Sequence, residues 1–227
     1  MTGAIAFCPQ PPLLVPELAA GAAVELEGLR AACREAVGRL LASAPDRIVV
    51  LGSARETVRY PAGSTGTLAG YGVAVRASLG PPEGATPTLP PALTLGGWLL
   101  GESGLPCAGQ GVAGDADPAH LAAALAGPGT GLLVMADGSA RRSEQAPGYV
   151  DPRAAPFDAA VAAALAIGDA GVLAGLDPAL GAELLAAGVP AWRVAGHAAA
   201  GFEVDAELLH ESAPYGVGYF VASWARR

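Results

Sequence analysis

Short apolar runs, each closed by glycine, proline or a polar residue, set the terms on which this chain can fold. Gly3 to Cys8 runs into Pro9, and Arg47 to Gly52 runs into Ser53 and Arg55. Leu105 to Gly109, Gly131 to Ala136 and Gly216 to Trp224 have the same form. Runs of this length are strand-sized, and those apolar on both faces suit strands covered on both sides. Between them lie stretches with helical spacing. The clearest is Ala22 to Ser43, where Val24, Leu26, Leu29, Cys33, Val37 and Leu40 recur every three or four residues.

Leu93 to Ser103, Pro118 to Leu125 with Asp117 as its cap, Pro156 to Ala166 and Pro178 to Ala187 read as further helices. Trp192 to Ala199 and Ala206 to Ser212 read as strands, which puts His197 in an apolar strand and His210 in an edge hairpin. Strands alternating with helices predict an α/β fold, a three-layer αβα sandwich around a mixed, mostly parallel central sheet. Glu56 to Pro91 is rich in Gly, Pro, Ser and Thr and reads as an insertion, with short strands only at Thr57 to Tyr60 and Val73 to Ala77. No linker or internal repeat divides the chain, so all 227 residues are expected to form one domain.

The charge balance narrows the function classes. The chain has 13 Arg, no Lys and 21 acidic residues, a formal charge of -8. Duplex binding needs clustered positive charge, so no nucleic-acid partner is expected. The longest uncharged stretches, Gly84 to Gly101 and Pro118 to Ala136, are broken by Pro or Gly, and no membrane partner is expected. Met1 to Phe7 lacks the basic segment of a secretion signal, and a cytoplasmic location follows as the expectation. Cys8, Cys33 and Cys107 are odd in number and lack CxxC spacing, which suggests neither a disulfide framework nor a zinc ribbon.

Local motifs add little chemistry. Gly109, Gly111 and Gly114 spell GxGxxG after a strand, but Asp115, Asp117 and Pro118 delay the helix and place carboxylates where phosphates would sit. Ser139 is not a nucleophile elbow, because Asp137 and Arg141 stand where that turn needs glycines. His120, His197 and His210 share no ligand spacing, so no metal site is read from local sequence. The densest polar segment follows the run Gly131 to Ala136. There Asp137, Ser139, Arg141, Arg142, Ser143, Glu144 and Tyr149 crowd the carboxyl end of an expected central strand. Ligands of open α/β sheets bind at such ends, and adjacent arginines can present planar forks to an anion. The plainer reading is a surface loop with Arg–Glu pairs of little energetic weight.

Three segments together resemble the class III extradiol ring-cleavage dioxygenases (subunit-B-like) and the related MEMO-like proteins. They are Phe7-Cys8-Pro9-Gln10-Pro11-Pro12-Leu13-Leu14, Leu132-Leu133-Val134-Met135-Ala136-Asp137-Gly138-Ser139 and Tyr215-Gly216-Val217-Gly218-Tyr219-Phe220. The resemblance implies the three-layer fold already read, with a pocket at the strand ends. It also implies Fe(II) held by two His and a Glu, with another His as acid/base. At each imidazole position that can be placed, this chain departs. Gln10 stands where a ligand His is expected, Gly52-Ser53-Ala54-Arg55 offers none, and Ala140 occupies the base position. Gln is a weak donor, Ala is none, and a cationic Arg55 would repel the metal.

The expectation is therefore an extradiol-dioxygenase-like protein with a degenerate iron site, no cofactor, and a strand-end pocket for a small anionic molecule. Gln10, Arg55, Ser139, Arg141, Arg142 and Tyr149 are the expected binding residues, and Asp137 the candidate catalytic base, its pKa lowered by the Arg neighbours. The alternative is an active Fe(II) dioxygenase that recruits His197 or another His to a rearranged site and cleaves a catechol. A third possibility is an interaction protein with a vestigial pocket. A homo-oligomer could pair the apolar C-terminal hairpin across a two-fold axis.

Overall fold

The apolar runs become the strands of one sheet. The computed structural model describes residues 2–81, 88–101, 103–125 and 127–227. β1 (Thr2–Cys8) leads through a short helix, α1 (Pro16–Ala19), to α2 (Glu27–Ala42) and β2 (Arg47–Ser53). The insertion contributes β3 (Val58–Tyr60) and a separate two-stranded ribbon of β4 (Thr65–Thr67) and β5 (Arg76–Ser78). The chain continues as α3 (Pro91–Leu100), β6 (Cys107–Val112), α4 (Pro118–Leu125) and β7 (Thr130–Met135). Four helices follow, α5 (Ala154–Ile167), α6 (Ala170–Ala174), α7 (Pro178–Glu183) and α8 (Val189–Ala199), and then β8 (Val204–Ser212) and β9 (Tyr219–Arg226).

The seven strands of the main sheet run in the order β3-β6-β2-β7-β1-β9-β8. β6, β2, β7 and β1 are parallel, whereas β3, β9 and β8 pair antiparallel with their neighbours, so the sheet is mixed and mostly parallel in its centre. Side chains alternate across it. Ile5, Phe7, Val49, Leu51, Leu132 and Val134 pack under α4, α5, α6 and α8, while Ala4, Ala6, Cys8, Ile48, Val50, Leu133 and Met135 pack under α2 and α3. β7 is buried at every position because β1 and β2 flank it and helices cover both faces. Among the described residues, no helix is long and apolar enough to cross a membrane.

The structure moves several elements. The segment Trp192 to Ala199, expected as a strand, is the body of α8. Its Trp192, Ala195 and Ala199 are buried at helical spacing, and Pro190 sits in the first turn, where its missing N–H costs nothing. The helix expected over Ala22 to Ser43 begins only at Glu27, and Val24 is left at 85% exposure. The strand expected at Val73 to Ala77 lies at Arg76–Ser78. Asp117 does cap α4, its carboxylate accepting from the backbone N–H groups of Ala119 and His120. The GxGxxG glycines serve packing: a Cβ on Gly109 would come within 2.9 Å of Leu79 and Leu93, and one on Gly111 within 3.0 Å of Ala54. In the C-terminal hairpin, β9 lies inside the sheet between β1 and β8, and β8 is the edge strand.

Trp224 closes the core beneath β9. It is fully buried, meets Phe7 edge-on at 4.9 Å between ring centroids, and donates its indole N–H to the Leu165 carbonyl at 2.7 Å. Trp224→Ala is expected to lower unfolding free energy by about 3–5 kcal/mol. Trp224→Phe, which keeps most of the apolar contact and loses the hydrogen bond, should lose only about 1–2 kcal/mol. Urea unfolding followed by circular dichroism measures both.

Candidate functional site

The carboxyl ends of the four parallel strands open into a cleft of about 960 Å³. Each strand delivers its next residues to it: Gln10 after β1, Ser53 to Glu56 after β2, Gly114 after β6 and Asp137 after β7. One wall is Tyr60, Tyr71 and the Pro90-Pro91-Ala92 start of α3; the other is the α7–α8 connection with Leu185, Val189, Pro190 and Arg193. That second wall is tied to the strand ends. Ser53 Oγ donates to the Ala187 carbonyl, the Gly188 N–H to the Asp137 carbonyl at 2.8 Å, and the Ala140 N–H to the Leu184 carbonyl at 3.0 Å.

Asp137 lies on the floor. Its Oδ1 accepts from the Gln10 backbone N–H at 2.7 Å, across the ends of neighbouring strands, and no described residue donates to its Oδ2. Burial pushes its carboxyl up to about 7, against the partial relief of the Gln10 N–H. At neutral pH such a group can both give and take a proton. Burial, and then the Asp137 charge, push the Tyr219 phenol well above its ordinary range. The Gln10 side chain makes no hydrogen bond to a described residue, and its Oε1 is closed off from solvent. A buried acceptor left in this way costs about 1–3 kcal/mol.

Arg55 and Arg193 are the cations of the lining. Neither forms an ion pair with a described residue; Arg55 is exposed, and Arg193 only reaches the Ala174 carbonyl at 3.5 Å. Glu56 also lines the cleft but pairs with neither arginine.

Three of the seven residues expected here, Gln10, Arg55 and Asp137, do line the cleft. Ser139, Arg141, Arg142 and Tyr149 do not. Ser139 is fully buried and gives its N–H and its hydroxyl, each at 2.8 Å, to the two oxygens of Asp158 on α5. Arg142 donates to the same carboxylate at 3.0 Å. Arg141 lies near Asp151 rather than Asp137, and Tyr149 points outward at 76% exposure from a left-handed backbone, φ 57°. The expected lowering of the Asp137 pKa is thus reversed: Arg142 is engaged by Asp158, Arg141 lies near Asp151, and burial decides.

Sequence reasoning missed Arg193 because the segment around it read as a strand. Gly188-Val189-Pro190 was the available signal, a proline in the first turn of a helix that then carries Arg193 one turn on. Asp158 was legible too. It is polar yet spaced with Val161 and Leu165 on the buried side of α5, and a buried carboxylate must have partners.

A metal centre is not what these residues fit. The cleft supplies oxygen donors from Gln10, Glu56 and Asp137, no imidazole, and two arginines. Non-haem iron takes two His and a carboxylate on one face. His120 is exposed on α4, His197 lies a turn beyond Arg193, and His210 on β8 hydrogen-bonds Ser212 Oγ at 2.9 Å. Among the described residues, no three His, Cys, Asp or Glu gather as a metal-binding group. Compared with protein-family models and with curated proteins, the chain matches none of either.

Because the fold prefers neutral Asp137, this group costs nothing below the ordinary carboxyl range; its penalty accumulates from about pH 4 to about pH 7 and then levels. Asp137→Asn keeps an acceptor for the Gln10 N–H and removes the titration. The stability of the variant relative to the parent is expected to rise by up to a few kcal/mol across that window and to stay flat above it. Paired urea unfolding at each pH reads the difference. Asp158→Ala strands Arg142 and the Ser139 N–H, and is expected to cost about 3–5 kcal/mol in the same assay.

Proposed function

We propose that this chain is an extradiol-dioxygenase-like protein with a degenerate iron site, which binds a small anionic molecule in the strand-end cleft. The observation that carries the reading is the two arginines, Arg55 and Arg193, without an ion-pair partner among the described residues in a largely apolar cleft where four parallel strands end. Arg193 is half-buried and Arg55 exposed, and neither pairs with a described carboxylate, so an anion arriving there gains charge-assisted hydrogen bonds without displacing an ion pair. Open α/β sheets bind ligands at this end of the strands, and the volume is that of a small-molecule site.

The family resemblance supports the same place. The segments that carry it are side by side: β1 pairs with both β7 and β9, and the Gly138 N–H meets the Gly218 carbonyl at 2.7 Å. Gln10 replaces the expected ligand at the floor of the cleft, and Arg55 follows β2 where another would stand. Asp137 is the group that would exchange a proton with the bound molecule, and no step is assigned to a metal.

Calorimetric titration with hexanoate and octanoate, against the matching neutral amides, tests the reading. The acids are expected to bind about tenfold or more tightly than the amides, and Arg55→Gln with Arg193→Gln should bring the two to parity. Amides that bind as well as acids would sink it. Anaerobic loading with Fe(II) tests the degenerate-site part, which fails if near-stoichiometric iron survives desalting.

A further inference from the structure

We infer that the floor of the cleft is a second recognition point, at which Gln10 and Asp137 receive a hydroxyl or amine of a ligand whose acid group lies with Arg55 and Arg193. The inference rests on the binding reading above and deepens it: the ligand class becomes small bipolar organic acids, with an acid at one end, an apolar body and a hydrogen-bond donor at the other.

The floor offers acceptors with nothing to accept. Asp137 Oδ1 is taken by the Gln10 N–H, while Oδ2 receives from no described residue. The Gln10 carboxamide makes no hydrogen bond to a described residue, and its Oε1 is shut from water. Turning that side chain onto a ligand therefore breaks nothing, and the terminal torsion of glutamine is soft. Both groups are held by rigid strand ends, since the link from Gln10 N to Asp137 Oδ1 joins the neighbouring strands β1 and β7. No described cation is bonded to either side chain, and neither Arg55 nor Arg193 has an ion-pair partner among the described residues. The rest of the lining is mostly proline and alanine, with Leu185, Val189 and the rings of Tyr60 and Tyr71, and Glu56 is its other carboxylate. An apolar body fits there, and in such a lining an added hydroxyl weakens binding unless something accepts it.

The sign of the hydroxyl's effect is the test. Binding of straight-chain alkanoates of four to eight carbons is compared by calorimetry with that of the ω-hydroxy and ω-amino acids of the same lengths. At one length the hydroxy or amino acid is expected to bind about tenfold more tightly than its parent, and the arm that gains tells hydroxyl from ammonium. Gln10→Met, which keeps the bulk and drops the amide, should reduce that ratio to about one or below. Arg55→Gln should weaken both members of the pair and leave the ratio above one. Alkanoates that bind with no length favouring the donor would overturn this inference alone. No binding in any series would instead overturn the anion-binding reading on which it rests.

Discussion

The loop after β7 leaves the sheet with Asp137, Ser139, Arg141 and Arg142 in six positions, and one buried carboxylate sorts them. Asp158 takes the Ser139 N–H, the Ser139 hydroxyl and an Arg142 N–H, which turns those groups inward and leaves Asp137 on the cleft side. Its surroundings admit no alternative bulk. A Cβ on Gly138 would lie 2.8 Å from one Asp158 oxygen, and one on Gly218 2.6 Å from the other. The loop and the turn before β9 are thereby locked together, with Gly138 and Gly218 exchanging backbone hydrogen bonds with their neighbours at 2.7 and 2.9 Å. A fully buried ion is expensive unless every lone pair is used, and here the use is what gives the site its shape.

The cleft floor follows the opposite rule. Asp137 is half-buried and accepts one hydrogen bond where Asp158 accepts three, so its environment favours the neutral acid, and the Gln10 Oε1 beside it is left unsatisfied. These are local costs, borne by a sheet whose strands are covered on both faces and whose core is continuous on each side. Departures from polar satisfaction tend to gather at functional sites, where a ligand completes what the chain leaves open. The two behaviours sit one residue apart: Gly138 separates the residue that the fold satisfies from the one that it does not.

The sheet was legible because its strands are short apolar runs with nothing helical about them. Their order was not, since pairing depends on which crossover covers which face. α8 escaped because alanine and glycine carry little periodic signal, so Trp192, Val194 and Ala195 read equally as strand or helix. In the site, the polar density after β7 was legible, and its orientation was not. Arg141 and Arg142 carry the same chemistry whether they face a ligand or a buried partner, and that partner, Asp158, lies 16 residues beyond Arg142 on another element. Residues placed directly after strand ends, Gln10, Arg55 and Asp137, line the cleft for that reason: the strand itself aims them.

The charge of the whole chain and that of the cleft act over different distances. At physiological salt, fields from exposed charges fade within about 8 Å, so the formal -8 works on anything large and highly charged near the surface, and repels polyanions. A small acid that has entered the cleft is close to Arg55 and Arg193, and the apolar lining weakens the screening that water would supply. The same lining penalises an ionised carboxylate, and burial raises the Asp137 carboxyl to about 7. Under the reading proposed above, an acidic chain around an arginine-bearing cleft would favour one small acid there and would repel a chain of phosphates.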